Sequence, residues 1–129
     1  MKGNDLNIAD NQKKLEKLDQ RISSYIKKGM NVLDVGAGEA WAMDYFQNKK
    51  CNYSAIEAVP RLADSITDRG GVVIGKDIFQ NLSNNFSSFD VIVFRHILEH
   101  LLNPKSALRT LKKLLNKNGL IYIALPNAG

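Results

Sequence analysis

Asn31-Val32-Leu33-Asp34-Val35-Gly36-Ala37-Gly38-Glu39 is the stretch on which the fold turns. A short, mostly apolar run breaks abruptly into glycines, which is how a buried strand reads when it ends in a tight turn. Behind it, Glu39 to Lys50 carries Trp41, Ala42, Tyr45 and Phe46 on one side and is expected to form a helix starting near Ala40. Strand, glycine turn and helix in that order turn backbone N–H groups into one crevice, suited to a nucleotide-like ligand. About twenty residues on, Glu57 closes the next strand, Tyr53 to Glu57, where a carboxylate can accept hydrogen bonds from both ribose hydroxyls. The alternative is a tight structural turn with a solvated glutamate.

Outward from this core the alternation repeats. On the N-terminal side, Leu15, Leu18, Ile22 and Ile26 recur at helical spacing and predict an amphipathic helix over 9–28, with Gly29 placed to end it. On the other side, Pro60 opens a helix that Gly70-Gly71 closes, and Val72-Val73-Ile74 reads as a third strand. A polar stretch from Asn81 to Ser88 leads into Phe89-Asp90-Val91-Ile92-Val93-Phe94, the strongest strand signal in the chain. A helix from Pro104 to Leu115 follows, with Leu108, Leu111, Leu114 and Leu115 on one face. Asn118-Gly119 is expected to turn the chain into a fifth strand, Leu120 to Leu125, stopped by Pro126. Strands alternating with helices imply parallel pairing through right-handed crossovers. The expected fold class is α/β, a doubly wound, mainly parallel sheet of about five strands with flanking helices. Residues 1–29 then form an N-terminal helix and 30–129 the α/β core of a single domain.

Composition narrows the function classes. With 129 residues, the chain is long enough for one α/β domain with a real core. Cys51, the one cysteine, cannot close an internal disulfide and reads as a small packed residue rather than a reactive thiol. No run of about 18 apolar residues occurs and the N-terminus is polar, so neither a membrane span nor a signal peptide is expected, and a cytoplasmic location is. The net charge of +5 is spread over Lys13-Lys14, Lys27-Lys28, Lys49-Lys50 and Lys112-Lys113 without interleaved aromatics. Nucleic acid is therefore not the expected partner.

The residues now carry a resemblance. Val32-Leu33-Asp34-Val35-Gly36-Ala37-Gly38-Glu39 resembles the first motif of class I S-adenosylmethionine (SAM)-dependent methyltransferases. It continues in the family's order through Ala55-Ile56-Glu57, Gly75-Lys76-Asp77-Ile78, Phe89-Asp90-Val91-Ile92, His96-Ile97-Leu98-Glu99-His100-Leu101 and Leu111 to Asn127. The resemblance implies a Rossmann-like sheet and a SAM site rather than an NAD site, because the turn lacks the longer G-x-G-x-x-G form and has Trp41 at its last position. The family's pattern has a third glycine where Ala40 stands, a change that a helix start is expected to tolerate.

By that resemblance, Asp34 sits near the donor's amino group, and Gly36, Ala37 and Gly38 line its amino-acid portion. Glu57 holds the ribose, Ala58 lies beside the adenine, Asp77 meets the adenine amino group and Ile78 packs on the ring. Arg95 and His96 face the methyl group and the acceptor. Independently, ligands of parallel sheets bind beyond the carboxyl ends of strands, and Gly36, Glu57, Asp77 and Arg95 all follow strands or close them. The implied activity is methyl transfer from SAM to a small-molecule acceptor, leaving S-adenosylhomocysteine. The His96-to-Asn127 stretch is similar to the broad small-molecule branch, and no Asn-Pro-Pro-Tyr-type tetrapeptide of base-methylating members follows the fourth strand. His96 is the candidate general base for a hydroxyl or acidic-carbon acceptor, or else only orders its loop. Arg95 either binds an anionic acceptor or pairs with a surface acid.

His96, Glu99 and His100 also spell H-x-x-E-H, an inverted zinc-protease pattern. Such a site needs a third protein ligand, yet the chain has no further histidine and residues 101–129 hold no acid. No metal is expected. The family's sheet normally has seven strands and closes with an antiparallel hairpin, whereas this sequence stops at Gly129. The expectation is a chain truncated after the fifth strand, with that edge covered by a homodimer partner, another protein or further chain. The alternative to an enzyme is accordingly a SAM-binding module, non-catalytic or truncated, that needs a second chain or missing segment to complete its acceptor pocket.

Overall fold

Five apolar runs become five parallel strands in the computed structural model, which describes residues 2–38, 40–78, 88–95 and 104–124. The elements are α1 (Lys2–Ile22), β1 (Asn31–Val35), α2 (Met43–Asn48), β2 (Asn52–Ile56), α3 (Pro60–Asp68), β3 (Val72–Gly75), β4 (Phe89–Arg95), α4 (Pro104–Leu114) and β5 (Leu115–Ala124). The strand order is β3-β2-β1-β4-β5, and every neighbouring pair is parallel. The chain works outward from β1 through β2 to β3, then returns to β4 on the other side of β1. That reversal makes the carboxyl end of β1 the point where successive connections part, leaving a crevice between them.

Alternation along the strands feeds two cores. Val32 of β1, Tyr53 and Ala55 of β2, and Val91 and Val93 of β4 share one cluster with Leu18 and Ile22 of α1, Met43 and Phe46 of α2, and Ile66 of α3. Leu33, Val35, Ile56 and Ile92 face the other way, onto Ala107 and Leu111 of α4 and Ile78. Trp41, just ahead of α2, and Tyr45, on it, pack against the first cluster. Buried Cys51 belongs to the same cluster, in keeping with the structural reading of that thiol.

Several boundaries differ from the sequence reading: α1 begins at Lys2, well before residue 9, and β2 spans Asn52–Ile56, leaving Glu57 just past the strand rather than closing it. Helix α1 ends at Ile22, short of Gly29; the chain tightens there through Tyr25 N–H to Ile22 O at 2.9 Å, and Gly29, at φ 87, serves the later turn into β1. Helix α2 begins at Met43, not near Ala40. Strand β5 follows α4 directly from Leu115, so Asn118-Gly119 is not a turn ahead of it. Instead the register jumps from Phe89↔Leu115 to Val91↔Leu120, and the intervening residues bulge out of the ladder.

That bulge belongs to a polar network along the N-terminal edge of the sheet. Asp90 accepts the Asn31 N–H at 2.8 Å with one carboxylate oxygen and Asn116 Nδ2 at 2.9 Å with the other. The Tyr25 hydroxyl donates to Asn118 O at 2.5 Å, and Asn52 Nδ2 donates to Asn31 Oδ1 at 3.0 Å. Strands β1, β2, β4 and β5 and the end of α1 are thereby joined at one end.

Candidate functional site

At the opposite end of the sheet the chain leaving β1 adopts left-handed backbone three times, at Gly36 (φ 71), Gly38 (φ 58) and Ala40 (φ 57). Glycine reaches this region without strain; alanine does so at a cost of about 1–2 kcal/mol. Ala40 is therefore no helix start: its conformation, followed by Met43 N–H to Ala40 O at 3.1 Å, delays α2 by about a turn. The place where the motif has a third glycine is a place where the backbone asks for one. The methyl group of Ala40 is nonetheless buried, in the first core.

The turn is tied to the neighbouring strand by main-chain bonds. Gly36 N–H donates to Ile56 O at 2.9 Å, and Glu57 N–H donates to Gly75 O at 3.0 Å, so the ends of β1, β2 and β3 are linked in series. A Cβ built on Gly38 meets no described atom within 4 Å, so that side of the turn opens outward. This is the geometry that lets a ligand touch the main chain directly.

Glu57 lies just past β2 and is only 6% exposed. Its Oε1 accepts Gly38 N–H at 2.6 Å and its Oε2 accepts Val59 N–H at 3.0 Å. A carboxylate offers about four acceptor positions, so two amide bonds fix its plane while leaving capacity for two further donors. A vicinal diol supplies two donors. The residues thus suit a ribose, and the sequence reading did not foresee that the acid would also be clamped by the glycine turn itself.

Around this centre the other candidate residues fall as follows. Asp34 is fully buried on β1, and its Oδ2 accepts the Tyr53 hydroxyl at 2.5 Å. Ala37 is buried within the turn, while Ala58 is exposed beside Glu57. Asp77, half-buried, follows β3, and Ile78 is sunk in the second core against residues such as Ile56. Arg95 ends β4, paired in register with Ala124 of β5. His96, Glu99 and His100 lie outside the described residues. Gly36, Gly38, Glu57, Asp77 and Arg95 thus all stand at or just beyond the carboxyl ends of β1 to β4. Among the described residues, no group of three metal-ligating side chains comes together.

Two titratable groups with shifted pKa values sit away from this edge. Burial and the hydrogen bond to Asp19, 2.9 Å long, push the Tyr45 hydroxyl well above its usual range. Burial raises the Cys51 thiol against the opposing pull of Lys49. Both shifts favour the neutral form and fit the reading of these residues as packing groups.

Comparison with known proteins now bears on the site. Residues 8–129 match the family model described as a methyltransferase domain. No curated protein matches the sequence. Among solved structures, coclaurine N-methyltransferase bound to N-methylheliamine and SAH superposes with a TM-score of 0.73 at 22% identity, over 88% of this chain and 35% of that one. The plantazolicin methyltransferase BpumL, in complex with a pentazolic desmethylPZN analog and SAH, gives 0.67 at 22% identity, over 82% and 42%. A TehB-like SAM-dependent methyltransferase from Corynebacterium glutamicum gives 0.66 at 18% identity, over 95% and 73%. The chain therefore spans well under half the length of the first two of these proteins. These likenesses establish the Rossmann-like fold, and the family match establishes membership: the chain belongs to the methyltransferase domain family.

Proposed function

We propose that this domain binds S-adenosylmethionine at the carboxyl edge of its sheet and takes part in methyl transfer to a small-molecule acceptor. One observation carries the reading: the buried Glu57 carboxylate is clamped by the glycine turn after β1, with acceptor capacity to spare for a diol. The family match and the SAH bound in two structural neighbours support it. Gly36, Ala37 and Gly38 then line the amino-acid portion of the donor, with Asp34 near its amino group. Glu57 takes the ribose, Ala58 lies beside the adenine, Asp77 meets its amino group and Ile78 supports the ring from the core.

When bound, SAM supplies a methyl group already activated by the sulfonium. What remains for the protein is chiefly in-line placement of the acceptor at roughly 3 Å and exclusion of water. Arg95 and His96 are assigned to the acceptor side, His96 as general base where the acceptor bears a proton to be lost. S-adenosylhomocysteine leaves as product. A small-molecule acceptor is favoured by the two neighbours, one bound to N-methylheliamine and the other to a pentazolic desmethylPZN analog.

A second reading has its own support. Because the chain spans 35% and 42% of two methyltransferase relatives, the acceptor pocket could depend on residues outside it, making this a donor-binding module completed by another chain, a second copy or further sequence. The edge strand β5, with Ile123 exposed, is where such a segment would add. No described helix is long and apolar enough to cross a membrane, and we place the domain in the cytoplasm, with no nucleic-acid partner.

Calorimetric titration with SAM and S-adenosylhomocysteine tests the central claim. Binding is expected, weakened by roughly 1–3 kcal/mol in Glu57→Ala. Folded protein that binds neither ligand at millimolar concentration sinks the reading. Turnover by the isolated chain would instead eliminate the module alternative.

A further inference from the structure

Tyr53 is the feature of the donor edge that neither the motifs nor the family match assigns. It stands on β2 opposite Val32, and Asp34 is two residues further along β1, on the same face of the sheet. Diagonal neighbours of this kind lie within reach of an aromatic side chain. Tyr53 uses that reach: its hydroxyl donates to Asp34 Oδ2 at 2.5 Å. Asp34 is 0% exposed and Tyr53 4%, so solvent does not compete for the bond.

The ring has little room to move. A Cβ added at Gly71 would stand 2.7 Å from Ile66 Cγ2, 3.0 Å from Met43 Cε and 3.2 Å from Tyr53 Cδ2. Tyr53 is thus wedged beneath α2 and α3, and its hydroxyl is delivered to a fixed point. A buried carboxylate held by a fixed donor has a fixed plane. Two residues later in the chain comes Gly36, where the turn opens.

We propose that Tyr53 is a positioning residue, whose hydroxyl fixes the buried Asp34 carboxylate at the root of the glycine turn that lines the amino-acid portion of the donor. This rests on the donor-site reading above. Tyr53 touches no ligand itself; it acts through Asp34, and so affects only ligands that carry the amino-acid portion.

S-adenosylhomocysteine and 5′-methylthioadenosine make the test. They share the adenosine and the thioether, and only the first carries the amino-acid portion that the turn lines. In Tyr53→Phe, which keeps the ring and removes the hydroxyl, S-adenosylhomocysteine affinity is expected to fall about tenfold, as for loss of a hydrogen bond to a charged group. Affinity for 5′-methylthioadenosine stays within about twofold. Asp34→Asn shows the same selectivity, and the double variant is no worse than the larger single effect, as for residues acting in series. Equal losses on both ligands, or none on either, overturn the proposal while leaving the donor site standing. A wild-type protein that binds neither ligand removes the donor site, and the proposal with it. Should Tyr53→Phe not fold, NMR of the wild type decides: the Tyr53 hydroxyl proton must shift with S-adenosylhomocysteine but not with 5′-methylthioadenosine, and an identical response to both rules it out.

Discussion

The two ends of the sheet each centre on a carboxylate, and in each case both oxygens are taken by the protein's own donors. At the N-terminal edge, Asp90 binds the Asn31 main chain and the Asn116 side chain, fastening three strands together. At the C-terminal edge, Glu57 binds the Gly38 main chain, in the turn after β1, and the Val59 main chain, at the head of α3. The residue types are alike and the local bond counts equal. What differs is the backbone around them. Asp90 sits within a ladder and links strand to strand. Glu57 gathers a turn with left-handed residues at 36, 38 and 40, one after another at the carboxyl end of β1. On the proposed reading, Asp90 serves stability and Glu57 serves binding, and the loop around each makes the difference.

Exchanging the two roles gives the largest expected effect. Asp90→Ala should lower the unfolding free energy by about 2–4 kcal/mol, having removed a charged acceptor from two donors, while S-adenosylhomocysteine affinity in the remaining folded protein is unchanged. Denaturant titration alongside calorimetry checks both halves; a tenfold loss of affinity in this variant would erase the distinction. Glu57→Gln should show the converse pattern. Affinity drops by about 1–2 kcal/mol as the amide presents its NH2 to a donor, and stability falls less than in Asp90→Ala.

Smaller still is the effect at Ala40. Converting a buried alanine to glycine ordinarily loses about 0.8 kcal/mol of methyl burial and a further 0.4–1 kcal/mol through the unfolded chain. At Ala42, with φ −87, nothing offsets this, and a loss of about 1.5 kcal/mol is expected. At Ala40, relief of the left-handed backbone returns about 1–2 kcal/mol, so Ala40→Gly should lie close to neutral. Equal losses at the two positions would show that the turn carries no strain.

The subtlest prediction lies away from both edges, where Asp19 of α1 accepts the Tyr45 hydroxyl. Because burial and this bond raise the Tyr45 pKa, the folded state holds that proton more tightly than the unfolded one. The resulting stabilisation is complete below about pH 10, the ordinary value, and declines as pH rises beyond it. Tyr45→Phe should flatten the alkaline fall in denaturation midpoint. A slope identical to wild type contradicts the raised pKa.

Much of this was written locally in the sequence. The strand at Asn31–Val35 was readable to the residue, because an apolar run between polar and glycine boundaries leaves few alternatives. The positions of Gly36, Glu57 and Asp77 beyond strand ends followed from the same alternation. What escaped depended on partners distant along the chain. Asn118-Gly119 has the composition of a turn, but Asp90 and Tyr25 hold the surrounding segment within a strand as a bulge. Ala40 was read as a tolerated helix start because a left-handed alanine leaves no mark in composition. The Tyr53–Asp34 bond did leave a signal: an acid inside an apolar strand must find a donor, and the adjoining strand offers a tyrosine at the diagonal position. His96 and most of the polar stretch from Asn81 to Ser88 fall outside the described residues.

The stapled edge also bears on how the molecule comes together in time. Strands β1, β2 and β3 pair within a continuous piece of chain, whereas Val32 must find Val91, and Tyr25 must find Asn118, 93 residues away. Closing such loops costs more entropy and comes late. If Asp90 joins only after the transition state, Asp90→Ala will accelerate unfolding in stopped-flow measurements and leave refolding nearly unchanged. The polar edge is then a clasp that lengthens the life of the folded state, while the half bearing the glycine turn and Glu57 is assembled first from neighbouring chain.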